Sequence, residues 1–254
     1  MTGISVAEQD RWVRRFHSCS MGAPQLFCFP HAGGSATYYY PFSKDLAPGV
    51  EVLAVQYPGR QDRRNEPLIG AIPELADRIA EVLSDVAVPP FAFFGHSMGA
   101  IVAFEVALRL RDDLGVSPMW LFVSGRRAPS TTRPRIIVDD TNLIAEMRQL
   151  GGTDPRFLGD EELLMAILPV TRNDYRAVED YSWVPGTPLT CPITALIGDS
   201  DPKSTIEEAA AWSGHSTGMF EQRVFPGGHF FLDQHRADVV DTISVALKEM
   251  SRTN

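Results

Sequence analysis

The sequence is short of the features that mark secreted, membrane-spanning or nucleic-acid-binding chains. It has 3 cysteines in 254 residues, Cys19, Cys28 and Cys191. An odd, small number without paired spacing argues against a disulfide framework and for reduced thiols, hence a cytoplasmic location. No apolar run reaches the roughly 20 residues that a bilayer span needs. Residues 1–15 are polar and lack an apolar stretch followed by a small-residue cleavage site, so no secretory leader is expected. Positive charge is also scarce: 23 Lys and Arg against 32 Asp and Glu give a net charge of −9, which excludes generic nucleic-acid binding. The 6 histidines and 3 cysteines show no metal-ligand spacing, so neither a metal nor a bound cofactor is expected. Internal repeats and low-complexity segments are missing as well.

What is present is a globular composition, 44% hydrophobic and 22% charged, able to support a substantial core. Short apolar runs at residues 25–30, 50–56, 91–94, 119–124, 193–198 and 220–225 read as strands, most of them covered on both faces. Helical patterns lie between them. Residues 73–83 begin with a proline suited to a first turn, and residues 98–111 end before Gly115. This alternation predicts an α/β fold, a mostly parallel central sheet flanked by helices, in a single domain over residues 1–254. One connection breaks the rhythm. Between the strands ending at Ser124 and starting at Ile193 the chain is far longer than a crossover needs. It predicts helices at 140–150, stopped by Gly151-Gly152, at 160–168, stopped by Pro169, and at 170–183. We read residues 128–188 as a helical lid insertion.

Gly95-His96-Ser97-Met98-Gly99 follows a strand and opens a helix. That setting is a nucleophile elbow, a tight turn that lifts a serine hydroxyl clear of the sheet, with small residues where backbone must pass closely. A helix start also directs free N–H groups at the serine. Serine is a weak nucleophile and needs a base and a group to orient that base, in the chain order serine, acid, histidine. His229 follows a strand and a Pro226-Gly227-Gly228 loop and is the expected base, with His215 and His235 left as surface histidines. Asp199 and Asp201 both follow the strand at 193–198. Asp201 lies farther out, where a carboxylate reaches an imidazole, and Asp199 is suited to capping its own turn. The expected oxyanion donors are the amides of Met98 and of Ala32, the latter in the loop Pro30-His31-Ala32-Gly33-Gly34-Ser35; His31 is expected to shape that loop.

Phe29-Pro30-His31-Ala32-Gly33-Gly34-Ser35, Gln56-Tyr57-Pro58-Gly59-Arg60, the serine pentapeptide, Gly198-Asp199-Ser200-Asp201 and Gly228-His229-Phe230 occur in this order. Together they resemble the stand-alone type II thioesterases of polyketide and nonribosomal peptide assembly lines, over nearly the whole chain. The resemblance implies an α/β-hydrolase fold with a helical lid and a Ser97, Asp201, His229 triad with Met98 and Ala32 donors. It also implies hydrolysis of acyl thioesters on the phosphopantetheine arm of acyl or peptidyl carrier proteins, by a cytoplasmic and often monomeric enzyme. A general small-molecule esterase or an acyltransferase would carry the same triad.

Two arginine clusters, Arg60, Arg63 and Arg64, and Arg126, Arg127, Arg133 and Arg135, follow strands ending at the catalytic edge. They are expected either to form a positive rim for a carrier protein or to pair with carboxylates such as Asp62 and Glu66. The apolar stripe of Leu143, Met147, Leu163, Leu164 and Ile167 is expected to dock a partner or acyl chain, or to pack within the insertion.

Overall fold

The computed structural model describes residues 4–135, 139–153 and 155–251. Strands β1 (Val13–Arg15), β2 (Gln25–Phe29), β3 (Glu51–Val55), β4 (Phe91–His96), β5 (Leu121–Ser124), β6 (Ile193–Gly198) and β7 (Phe220–Phe225) form one sheet, in the order β1-β3-β2-β4-β5-β6-β7. All neighbours are parallel except β1, which runs antiparallel to β3 along the sheet edge. The six expected strands are present. The seventh, β1, has three residues, two of them arginines, too short and too polar to be read as a strand in isolation.

The helices are α1 (Val6–Trp12), α2 (Tyr40–Leu46), α3 (Ile72–Val86), α4 (Met98–Leu114), α5 (Asp140–Leu150), α6 (Pro155–Gly159), α7 (Glu161–Asp180), α8 (Ile206–Ala210), α9 (Phe231–Gln234) and α10 (Arg236–Ser251). Successive side chains of a strand point to opposite faces, and the central strands are apolar on both. Phe27, Phe29, Phe91 and Phe93 face one layer with Ile79, Leu83, Val102 and Val106 of α3 and α4. Leu26, Cys28, Ala92 and Phe94 face the other with Phe42 of α2 and Val239, Ile243 and Leu247 of α10. The near-continuous apolar runs in the sequence are this double burial.

Between β5 and β6 lie α5, α6 and α7, with Leu143, Met147 and Leu168 buried together and Ile144, Leu164 and Ile167 packed against them. The apolar stripe therefore mostly packs within the insertion; Leu163 alone of the five stays exposed. One expectation is corrected here: Pro169 does not end a helix. α7 runs through it from an Asp160 N-cap, whose side chain accepts from the Leu163 amide, to Asp180. An interior proline removes one i→i−4 bond. The packing of Leu168, an Arg172 ion pair to Asp140 of α5 and the burial of Asp174 hold the helix past it. Residues 136–138 and 154 of the expected insertion lie outside the described residues.

The order of the strands positions the site. The chain moves from β2 outward to β3, then returns to the other side of β2 as β4, so β2/β4 is a switch point where loops at the C-terminal ends diverge and leave a crevice. Phe93 lies under this point with ring contacts to Phe27, Phe29 and Phe91. Phe93→Ala is expected to cost about 3–5 kcal/mol in urea unfolding. Leu163→Ala, on the exposed side of α7, is expected to change stability by less than about 0.5 kcal/mol.

Candidate active site

The serine turn is built by two glycines. A Cβ on Gly95 would lie 2.1 Å from the Gly99 carbonyl oxygen, and one on Gly99 would lie 2.0 Å from that of Phe29. Only hydrogen fits at either position, so α4 can start immediately against the end of β2. Between them Ser97 adopts φ 55° and ψ −116°, a conformation that costs a non-glycine residue on the order of 1–3 kcal/mol. Its amide donates to the Ser124 carbonyl of β5 at 2.8 Å, which pins the turn to the sheet.

The expected trio comes together. His229 Nε2 is 2.9 Å from Ser97 Oγ. His229 Nδ1 is 3.0 and 2.9 Å from the two carboxylate oxygens of Asp201. A carboxylate only accepts, so the imidazole proton lies on Nδ1 and Nε2 is left to accept from the serine hydroxyl. Asp201 is itself fixed by the Lys203 amide, which donates to Oδ1 at 2.8 Å. Asp199 does not reach the imidazole. It points to the return loop and accepts from the Gly227 amide at 2.9 Å, shaping the turn that delivers His229. The amides of Met98, at the start of α4, and of Ala32 donate to no carbonyl or side chain among the described residues.

Around this trio lie two further imidazoles. His31 is enclosed edge-on by Tyr38 and Phe230, and its pKa is pushed down to about 3 by burial, with His229 and Arg60 adding to the effect. His96, whose Nδ1 is 3.0 Å from Ser124 Oγ, is held well below the usual histidine range by burial and by its neighbours His229 and His31. Both are neutral packing elements that shape the site, as expected for His31. His215 corrects another expectation: it is 3% exposed, lies against the rings of Phe104, Trp183 and Trp212, and its Nε2 is 2.9 Å from Ser130 Oγ. The polar residues beside it in sequence hid a buried position. His235, half-buried, is 3.6 Å from Asp238.

One residue of the site escaped the sequence reading. Asp174 of α7 is 2% exposed, and its Oδ2 accepts from the Gly33 amide at 2.8 Å and pairs with the Arg60 guanidinium. Arg60 Nη1 also donates to the Pro58 carbonyl at 2.7 Å. Gly33, at φ +75°, has Thr171 of the same helix so close that a Cβ would lie 2.7 Å from its hydroxyl. Tyr57 donates to the Pro30 carbonyl at 3.1 Å, and Gln56 accepts from the Ala36 amide at 2.8 Å. The two sequence stretches 29–35 and 56–60 are therefore one structure, joined by α7. The available signal was a carboxylate in line with Ile167 and Thr171 on the inward face of a helix.

The arginine rim is corrected in part. Arg60 and Arg63 are buried and paired, with Asp174 and Glu66, while Asp62 pairs with Arg14. Arg133 and Arg135 pair with Glu208 and Asp180. Over the 30–35 loop a cavity of about 320 Å³ is bounded by Ala32, Tyr38, Met147, Ile167, Tyr175 and Phe230. Among the described residues no group of three or more His, Cys, Asp and Glu could hold a metal, and no helix is long and apolar enough to cross a membrane.

A parallel sheet with a serine on a strained strand-to-helix turn, bonded to a histidine and an aspartate from later strand ends, defines an α/β-hydrolase. Comparison with known proteins narrows the class. Residues 24–247 match the thioesterase domain family, and the chain belongs to that family. It is 51% identical to a probable cadicidin biosynthesis thioesterase of Streptomyces griseus over 93% of this chain and 66% of that protein's length. It is 48% identical to thioesterase PikA5 of Streptomyces venezuelae, over 92% of this chain and 84% of that one. Among solved structures, the type II thioesterase BorB of the borrelidin biosynthetic cluster superposes with TM-score 0.88 at 48% identity, covering 94% of this chain and 98% of that one.

Two outcomes follow from the buried charges. Asp174→Ala would leave Arg60 unpaired in the interior and is expected to cost about 3–5 kcal/mol in urea unfolding, most of it recovered in Arg60→Met/Asp174→Leu. His31 and His96 bind protons in the unfolded chain near pH 6.5 but not in the folded one. Stability is therefore fully present above about pH 6.5 and falls as the pH drops toward 3. His31→Gln is expected to flatten the pH dependence of unfolding free energy in that window by up to about 1.4 kcal/mol per pH unit.

Proposed function

We propose that this thioesterase hydrolyses acyl thioesters carried on the phosphopantetheine arm of acyl or peptidyl carrier proteins, clearing misprimed or stalled groups from a polyketide or nonribosomal peptide assembly line. The observation that carries this reading is the continuous Ser97–His229–Asp201 chain of hydrogen bonds at the switch point of a fold shared with ClbQ of the colibactin NRPS/PKS pathway and YbtT, a type II thioesterase of the yersiniabactin NRPS/PKS pathway. His229 Nε2 takes the proton of Ser97 as Oγ attacks the thioester carbonyl. The Met98 and Ala32 amides stabilise the oxyanion, and His229 returns its proton to the departing thiol. Water, activated by the same nitrogen, attacks the acyl-serine ester and releases the acid. Asp201 holds the imidazole in the required tautomer and stabilises its charged form.

The cavity over the 30–35 loop fits an acyl chain: it borders Ala32 and carries Met147 and Ile167 of α5 and α7. In this reading residues 128–188 act as a lid on a single catalytic domain spanning residues 1–254. The enzyme works as a cytoplasmic monomer, with the pantetheine arm supplied by its partner.

The test is release of acetyl or propionyl from a phosphopantetheinylated carrier protein, beside the matching free thioester and oxygen ester. Ser97→Ala is expected to reduce carrier-bound turnover by at least about 10⁴-fold, and Asp201→Asn by on the order of 10⁴-fold, with the fold retained by circular dichroism. Turnover confined to the oxygen ester would move the protein to the general esterases.

A further inference from the structure

Arg126 is an anomaly in this chain. It is 8% exposed, yet its side chain makes no hydrogen bond or ion pair among the described residues, and its Nε is both buried and unpartnered. Removing the partner of a buried ion costs several kcal/mol because a desolvated charge is left unmatched. A guanidinium placed this way gains from any anion that reaches it. The arginine borders a cavity of about 230 Å³ between the start of the insertion and the end of α7. Arg127, beside it, contacts one backbone carbonyl, Lys203 O at 3.5 Å. Arg133 and Arg135, at the same cavity, are matched by Glu208 and Asp180. Glu179 is the one carboxylate among the described lining residues, and its charge acts on both the Arg126 and Arg127 guanidiniums. Burial and the neighbouring Arg127 push Arg126 down to about 9, still charged at neutral pH.

We propose that this cavity is a binding site for a phosphate-class oxyanion, held by the Arg126 and Arg127 guanidiniums. Phosphate fits better than carboxylate on the count of donors. Two guanidinium forks, with the Thr131 and Thr132 hydroxyls on the same wall, offer more N–H and O–H groups than two oxygens can accept. The site adjoins the reaction centre. Ile101, on its wall, is one helical turn beyond Ser97, and Arg126 follows Gly125, whose Cβ position is 3.4 Å from the His229 ring. Two sources carry this chemistry: the phosphate of a pantetheine-type substrate, which rests on the function proposed above, and free inorganic phosphate, which does not.

Thermal unfolding in potassium phosphate against potassium chloride at equal ionic strength tests the site without any turnover. Phosphate at ten times its Kd is expected to raise the wild-type Tm by about 3–6 °C and to leave Arg126→Met unmoved. Without phosphate, Arg126→Met is expected to melt at or above the wild-type temperature, because it removes an unmatched charge. Arg127→Gln and a phosphate titration of Trp183 fluorescence, from the cavity wall, read the same binding independently. Kinetics then assign the source. If the phosphate belongs to the substrate, wild-type kcat/KM for an acyl-phosphopantetheine thioester exceeds that for the acyl-pantetheine thioester by about tenfold, through KM, and Arg126→Gln brings the ratio near one. Protection by inorganic phosphate with a wild-type ratio near one assigns the site to the free ion. Equal phosphate responses in wild type and Arg126→Met, or a large loss of stability in Arg126→Met without phosphate, overturn the proposal.

Discussion

The contact between Gly99 and the Phe29 carbonyl is the constraint on which the rest of the site depends. It lets the first turn of α4 stand directly on the end of β2, with room for hydrogen and nothing larger. That close approach sets the start of α4 against the Phe29 and Pro30 carbonyls, where the loop to Ala32 begins. It also forces Ser97 into its positive-φ conformation. The strain in this turn and the closeness of α4 to β2 are two consequences of one packing decision. The price is borne by the apolar sheet beneath, where paired phenylalanines on β2 and β4 fill the layer under the turn.

A second, polar joint connects the insertion to this frame. The Asp174 carboxylate is shared by the Gly33 amide and Arg60, so α7, the 30–35 loop and the segment after β3 are tied at one buried point. A buried carboxylate satisfied by both a guanidinium and a backbone donor is stable where either partner alone would leave a charge unmatched. Separating α7 from the segment after β3 would break this buried ion pair. Asp174 fixes the shape of the loop that presents Ala32 by holding the adjacent amide of Gly33.

Charge near the site is managed by exclusion. His96, buried against the His229 ring, and the half-buried His31 are both held below the usual histidine range, so the imidazole facing Ser97 has no second imidazolium beside it. On the far side of Gly125 the opposite holds: Arg126 and Arg127 keep their charge with little to match it. A chain with net charge −9 thus places a local excess of positive charge next to Gly125, whose Cβ position is 3.4 Å from the His229 ring.

The sequence by itself determined the sheet, its parallel sense, the helices flanking it and the identity of the Ser97, His229 and Asp201 trio. These features are local: apolar runs, glycine-framed turns and residues at strand ends announce themselves within a few positions. It also marked residues 29–35 and 56–60 as special without saying why. Tertiary structure alone decided what those stretches do, because the partner that unites them, Asp174, lies more than a hundred residues later, and its helical spacing from Ile167 and Thr171 does not say which loop it meets. The same holds for α7, which continues through Pro169 where local propensity would stop it. It holds also for His215, which is buried although Ser213 and Gly214 just before it are exposed. Arg60 and Arg126 look alike in sequence, each an arginine just past a strand. Which of them finds a carboxylate in the interior is settled by chain crossings that no short window of residues contains.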